Sequence, residues 1–393
     1  MTGKSRSAWI VAAVVVAALL GAVATWVGVN RDALLLLGYL AGPAGGSRLE
    51  RTTPEPSRTP IAFTTADRRA EADLYLPAAG APQAGIVLVP GAVREGRRDA
   101  RLVALANGLA RLRFAVLVPE MRFSGELRIR AGHARDVADA FRYLVRREDL
   151  APAGRAGIAA FSYAVGPALL AALEDDLVHE VRFVLGVGGY HDLRTAIRFF
   201  TTGYFEHDGQ FRRLQPDPYP LLVLARSLAP DVRDSADRRI LEAMVSAKLE
   251  DRDVDIAPLA RQLGPEGQAV YRLLTNRDPG LTQALLATLP PASRATIDAL
   301  TLHDKKLAAL SARLILVHGR NDRLIPYTES LALARAVGPG RVRVFILHSV
   351  LGHVDLSLSG LLSAQLWTEE LPDALRLVRA TSLLLRERRA PRD

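Results

Sequence analysis

Short uncharged runs of aliphatic residues, each stopped by proline or glycine, alternate along this chain with longer segments of helical period. Ile86-Val87-Leu88-Val89 ends at Pro90-Gly91, and Phe114-Ala115-Val116-Leu117-Val118 ends at Pro119. Gly157 to Phe161 and Leu314 to Val317 are further uncharged runs, and Val181 to Val187 and Val342 to Leu347 are apolar but for Arg182 and Arg343. Runs of this length without polar alternation suit strands covered on both faces. Arg101 to Leu112, Ala131 to Val145, about Tyr163 to Leu173, and Glu329 to Val337 space their apolar residues as helices do. Such alternation predicts an α/β fold, a mainly parallel central sheet with helices on both faces. Glu71 to Leu76 alternates polar and apolar residues, as an antiparallel edge strand would.

The alternation breaks between Arg194 and about Leu310. That stretch shows helical runs such as Arg238 to Lys248 and Gly267 to Leu274, punctuated by prolines, and no convincing strand. It reads as a helical cap insertion over residues 195–308, dividing an α/β core into 61–194 and 309–393. Residues 42–60 mix Gly, Pro, Ser, Thr and charge without a period and read as a linker.

Ala8 to Val29 are 22 residues without a charge. A helix rising 1.5 Å per residue over that length crosses a hydrocarbon core of roughly 30 Å. Trp9 and Trp26 lie near its ends, and Lys4 and Arg6 precede it. These features predict an N-terminal transmembrane helix with the bulk of the chain outside the cytoplasm, on the periplasmic or extracellular face. The rival is a cleaved signal, since Ala22-Val23-Ala24 has the small-x-small form of a cleavage site. The apolar run continues past that point, which favours the anchor. Ala33 to Ala41 is too short to span, and either lies at the membrane interface or packs on the domain. Residues 1–41 are therefore read together as the anchor region.

The chain has no cysteine, which removes disulfides, thiolate metal sites and cysteine nucleophiles. Its 51 basic and 42 acidic residues leave a formal +9, but only four of the basic residues are lysine, and no basic stripe interleaves with aromatics. That distribution argues against nucleic acid as a partner. No pair of residues has zinc-ligand spacing, so no metal is expected. Gly186, Gly188 and Gly189 lack the helix-opening context and later acidic residue of a dinucleotide site, and read as a tight turn. No cofactor is expected.

In open parallel sheets, reactive groups collect beyond the carboxyl ends of the strands. Ala160-Phe161-Ser162-Tyr163-Ala164 stands at one such end, where a sharp strand-to-helix turn would push a serine hydroxyl outward. Gly319-Arg320-Asn321-Asp322 follows another, and Gly352-His353 follows the last. Ser, Asp and His in that order suit a hydroxyl nucleophile, an imidazole base and an orienting carboxylate. Two alternatives stay open: His348 is a rival base, and Asp192, after the fourth strand, is a rival acid. His318 reads as a packing or hydrogen-bonding residue, and His133, His179, His207 and His303 as surface or capping residues.

With these motifs, the chain resembles the α/β-hydrolase fold family. Leu88-Val89-Pro90-Gly91-Ala92, Val116-Leu117-Val118-Pro119 and Leu316-Val317-His318-Gly319-Arg320-Asn321-Asp322 are similar to its dienelactone-hydrolase-like, membrane-anchored bacterial members. The resemblance covers about Ile61 to Arg194 and Leu310 to Leu385, with the insertion where the family places its cap. It implies Ser162 as nucleophile, His353 as base and Asp322 as acid, with the backbone N–H groups of Ala92 and Tyr163 as the oxyanion hole. The family elbow is usually Gly-x-Ser-x-Gly; here both glycines are alanine, Ala160 and Ala164. The expectation is a membrane-anchored serine hydrolase, an esterase acting on an ester, thioester or amide of a small-molecule or lipid-like acyl substrate. The alternative is a non-catalytic binding or scaffolding protein of the same fold at the membrane.

Overall fold

The computed structural model describes residues 21–42, 45–65, 67–122, 125–251, 253–348 and 370–389. Eight strands form one sheet in the order β1-β2-β4-β3-β5-β6-β9-β10. They are β1 (Ser57–Thr64), β2 (Arg69–Leu76), β3 (Ala84–Val89), β4 (Phe114–Pro119), β5 (Ala156–Phe161), β6 (Phe183–Val187), β9 (Arg313–Gly319) and β10 (Val342–Leu347). β1 and β2 run antiparallel to their neighbours, and every other pairing is parallel. β3 and β4 are buried along their whole length, as the uninterrupted apolar runs require. Val87 pairs with Leu117 on one side and Ile158 on the other, so the strand order reverses at β3. The crevice beyond the carboxyl ends of β3 and β5 is therefore a topological switch point, where open α/β sheets bind their ligands.

Among the described residues, the helices of eight residues or more that follow the helical segment 21–29 are α1 (Arg31–Ala41), α2 (Ala100–Arg111), α3 (His133–Val145), α4 (Val165–Ala172), α5 (Leu193–Thr202), α6 (Tyr219–Leu228), α7 (Ser235–Glu250), α8 (Pro265–Leu274), α9 (Pro291–Leu300), α10 (Thr328–Val337) and α11 (Leu371–Arg386). One apolar layer joins the sheet to α3, α4, α10 and the α5–α9 segment through residues such as Phe141, Leu169, Phe199 and Leu333. The other joins the opposite face to α1, α2 and α11 through Leu36, Leu109, Phe114 and Leu384.

Three expectations change. Glu71 to Leu76 is antiparallel but not at the edge, because β1 covers it. Its one buried carboxylate, Asp73, is paired with Arg58 at 2.6 Å and Arg97 at 2.9 Å, which lets a charge sit inside the sheet. Residues 42–60 are not a plain linker. They hold a short helix, Arg48–Thr52, and the start of β1. Ser47 and Glu50 cap that helix reciprocally, and Leu49 is fully buried beneath it. The segment read as wholly helical contains a hairpin, β7 (Tyr204–His207) and β8 (Gln210–Arg213). Its turn places Asp208 and Gly209 at positive φ, as a two-residue hairpin turn demands.

Of the two readings open for residues 33–41, the structure shows packing on the domain. Ala33 and Leu36 of α1 are buried, Asp32 pairs with Arg388 at 2.7 Å, and the Ser382 hydroxyl lies 2.6 Å from Asn30 Oδ1. No helix among the described residues is long and apolar enough to cross a membrane. Residues 8–20 of the predicted span lie outside the described residues, and 21–29 are helical.

Candidate active site

β5 ends at Phe161, and Ser162 follows with φ of +54° before the chain enters α4. A non-glycine residue in the left-handed region is strained, and such strain persists only where the surroundings hold it. Here the turn is forced because a buried strand and a buried helix meet with no loop between them. Ala160 and Ala164 are fully buried on either side. Close approach depends on a different glycine, at the end of β6. A Cβ on Gly189 would lie 2.5 Å from Val165 Cβ, so its absence lets α4 settle against the sheet.

The loop after β3 lies directly against this elbow. A Cβ on Gly91 would stand 3.3 Å from the Phe161 carbonyl oxygen and 3.4 Å from Ser162 Cβ. The Val93 N–H donates to the Gly91 carbonyl at 2.8 Å, and the Tyr219 hydroxyl donates to the Ala92 carbonyl at 2.6 Å. The structure thus brings Ala92, Ser162 and Tyr163 together at one cavity of about 710 Å³, with Leu324 and Ile325 also in its wall.

Asp322 follows β9 and is buried, with 1% of its surface exposed. Its Oδ1 accepts the N–H groups of Leu324 at 2.7 Å and Ile325 at 3.0 Å. Its Oδ2 lies 3.2 Å from His318 Nε2. That nitrogen donates to the Ile325 carbonyl at 2.9 Å, while His318 Nδ1 stands 2.8 Å from the Ser330 hydroxyl. The carbonyl accepts only, so Nε2 carries a proton. His318 thus acts as the hydrogen-bonding residue the sequence suggests, steadying the Asp322 loop.

The rival residues are engaged elsewhere. Asp192 caps α5, accepting the Arg194 N–H at 2.8 Å. His348 donates its backbone N–H to Asp373 at 2.5 Å, and its ring accepts from Arg376 at 3.2 Å. His353 lies outside the described residues.

One histidine departs from expectation. His133 is neither at the surface nor a cap; it is buried, 3.0 Å from the Tyr163 hydroxyl. Burial pushes its pKa down to about 3, so the ring stays neutral. Its burial was legible, because it falls on one helical stripe with Val137, Ala140, Phe141 and Leu144. Tyr163 also stacks on Tyr190, with ring centroids 6.2 Å apart, and the Tyr190 hydroxyl donates to the Leu300 carbonyl at 3.0 Å. The residue after Ser162 is therefore tied to both α3 and α9.

Tyr219 carries no sequence signal, yet it positions the β3 loop from the first turn of α6. Tyr219→Phe removes one hydrogen bond, worth about 1 kcal/mol. The expected result is about a five-fold fall in kcat/KM for a short ester with unchanged circular dichroism, measured by steady-state kinetics.

Glu329 of α10 is buried and accepts the N–H groups of His191 and Asp192, both at 2.9 Å, and the Thr195 hydroxyl at 2.6 Å. Burial raises its pKa above the ordinary 4.5. Between those values the folded chain holds a proton that the unfolded chain has released. Stability therefore falls as pH rises from about 4.5 through the raised value, and is flat above it. Urea midpoints across that range should show this slope in the native chain and lose it in Glu329→Gln.

No protein-family model matches the chain. Among curated proteins, it is 29% identical over 85 residues to 2-hydroxy-6-oxo-2,4-heptadienoate hydrolase of Pseudomonas putida strain F1, covering 22% of this chain and 31% of that one. It is 30% identical over 94 residues to 2-hydroxymuconate semialdehyde hydrolase of Pseudomonas putida, covering 24% of this chain and 34% of that one. The chain thus spans about a third of the length of these relatives. Among solved structures, it is similar to the rice cell wall degrading esterase LipA from Xanthomonas oryzae. That likeness has a TM-score of 0.51 at 12% identity and covers 81% of this chain and 89% of LipA. With the mostly parallel eight-stranded sheet and the serine turn after β5, the likeness gives this chain the α/β-hydrolase fold.

Proposed function

We propose that the chain is a serine hydrolase of carboxylic esters, working through an acyl-enzyme on Ser162. The observation that carries this reading is Ser162 itself, held at positive φ between β5 and α4 at an apolar cavity, with the Gly91-Ala92 loop against it. In the reaction, His353 takes the Ser162 proton as the hydroxyl attacks the ester carbonyl. The N–H groups of Ala92 and Tyr163 stabilise the oxyanion, which develops only in the tetrahedral state. Asp322 orients His353 and steadies the imidazolium. The alkoxide leaves with the proton from His353, and water enters with His353 again as base. His353 takes this role from its place after β10, and Asp322 from its place after β9 on a loop that lines the same cavity. The curated relatives are hydrolases by name and LipA is an esterase by name, which supports the class.

The non-catalytic alternative rests on Ala160 and Ala164. It is disfavoured because the structure accommodates both alanines and still holds Ser162 in the strained turn. The purified chain is expected to release p-nitrophenol from p-nitrophenyl butyrate with multiple turnovers. No turnover on ester, thioester or amide panels would return the chain to the binding reading.

The uncharged run at residues 8–29, with Lys4 and Arg6 before it, supports a single-pass anchor with the domain outside the cytoplasm. Protease should therefore digest the domain in intact spheroplasts, and its protection would reverse the topology.

A further inference from the structure

The cavity at Ser162 does not stop at the crevice. It continues down the sheet face that carries α1, α2 and α11. Its floor is Phe161 of β5, Leu185 and Val187 of β6 and Val317 of β9, three neighbouring strands. Leu185 and Val187 each keep 9% of their surface open, while Val184 on the opposite face is fully covered. On α11 the lining residues are Leu377, Ala380, Thr381 and Leu384, which fall at i, i+3, i+4 and i+7 and form one stripe. α1 closes the far end with Leu36, Leu37 and Leu40. Among the described lining residues the charged ones are Asp99 and Arg101, paired with each other at 2.9 Å.

Close-packed interiors hold few voids larger than a water molecule. A cavity of about 710 Å³ is of ligand size, within the range of about 300–1,000 Å³ usual for binding pockets. The stretch walled by Leu36, Leu185, Val187, Leu377 and Leu384 offers water few hydrogen-bonding partners. Its far wall is built rather than incidental: α1 is held to α11 through Asn30–Ser382 and Asp32–Arg388. A linear occupant with its reactive end at Ser162 and a long apolar body fits this shape and chemistry.

We propose that the cavity running from Ser162 between the sheet and α1, α2 and α11 binds a long acyl chain. The substrate is then a long-chain carboxylic ester, and the N-terminal helix α1 is a chain-length selector. This rests on the hydrolase reading of Ser162. Each buried methylene is worth about four-fold in affinity, so a twelve-carbon acyl ester should exceed a four-carbon one in kcat/KM by at least about ten-fold.

The absence of cysteine permits a direct test. Ala104, half-buried on α2, lines the cavity, and so does Leu40 on α1. Ala104→Cys, with Leu40→Cys as a second position if the first does not fold, is treated with methyl or octyl methanethiosulfonate and checked by mass. The octyl adduct should lower the ratio of twelve-carbon to four-carbon p-nitrophenyl ester rates by about ten-fold or more, and dithiothreitol should restore it. The methyl adduct should change it far less. An octyl adduct that leaves the ratio unchanged overturns the proposal. So does an introduced thiol that the octyl reagent reaches only in urea. Ser162→Ala separates the two claims. If it abolishes both esters while the octyl adduct does nothing, only the acyl cavity fails. If it spares both, the hydrolase reading itself fails.

Discussion

Ser162→Ala is expected to lower kcat on p-nitrophenyl butyrate by several orders of magnitude, approaching a million-fold, while circular dichroism and thermal midpoint stay close to native. Removing the nucleophile of a hydroxyl-based hydrolase leaves only the catalysis supplied by binding and the oxyanion hole, and comparable losses reach about a million-fold. The fold should tolerate the change. Alanine is smaller than serine, and the positive φ at residue 162 is a strain already present. Steady-state kinetics on both proteins decides the matter. A variant that keeps more than a few per cent of the native rate would assign the nucleophile to another residue.

Asp322→Asn should cost about ten-thousand-fold in kcat, the loss expected when an imidazole is no longer held in the right tautomer. Asp192→Asn should cost almost nothing, because asparagine caps a helix as well as aspartate does, and Asp192 caps α5. The Asp322 variant carries a structural signature of its own. Its amide nitrogen, if placed at the Oδ2 position, would face the proton on His318 Nε2 across 3.2 Å, two donors without an acceptor. That mismatch in a buried site should lower stability by about 1–3 kcal/mol, so rates are compared at a temperature where both variants are folded. If Asp192→Asn were the more damaging change, the acid would move to the loop after β6.

What the sequence made legible follows from where the physics is local. Central strands such as β3 and β4 are apolar at every position because both faces are covered, and this shows in the runs themselves. The elbow, too, is local: strand, serine and helix meet within Phe161 to Val165. β1 was hidden because its burial pattern is mostly exposed and it carries Pro60, both marks of an edge strand. β8 is exposed throughout, so Asp208-Gly209 was the one local signal of the hairpin, and the apolar pattern alone passed over it. Tyr219 could not be found from sequence, since its bond to the Ala92 carbonyl spans 127 positions. The same holds for α1. A nine-residue apolar patch too short to span a membrane says nothing of the cavity it walls. That role emerges only when α2 and α11 are brought beside it by the sheet.

The central claim is an activated serine at position 162, and an irreversible acyl-mimic tests it most directly. Incubating the folded chain with a fluorophosphonate and locating the adduct by peptide mass spectrometry reads out which hydroxyl, if any, has become nucleophilic. The account predicts one phosphonyl group per chain, on Ser162, formed by the native protein and not by chain denatured before labelling or by Ser162→Ala. A native chain that stays unlabelled, or one labelled at another serine, would contradict it.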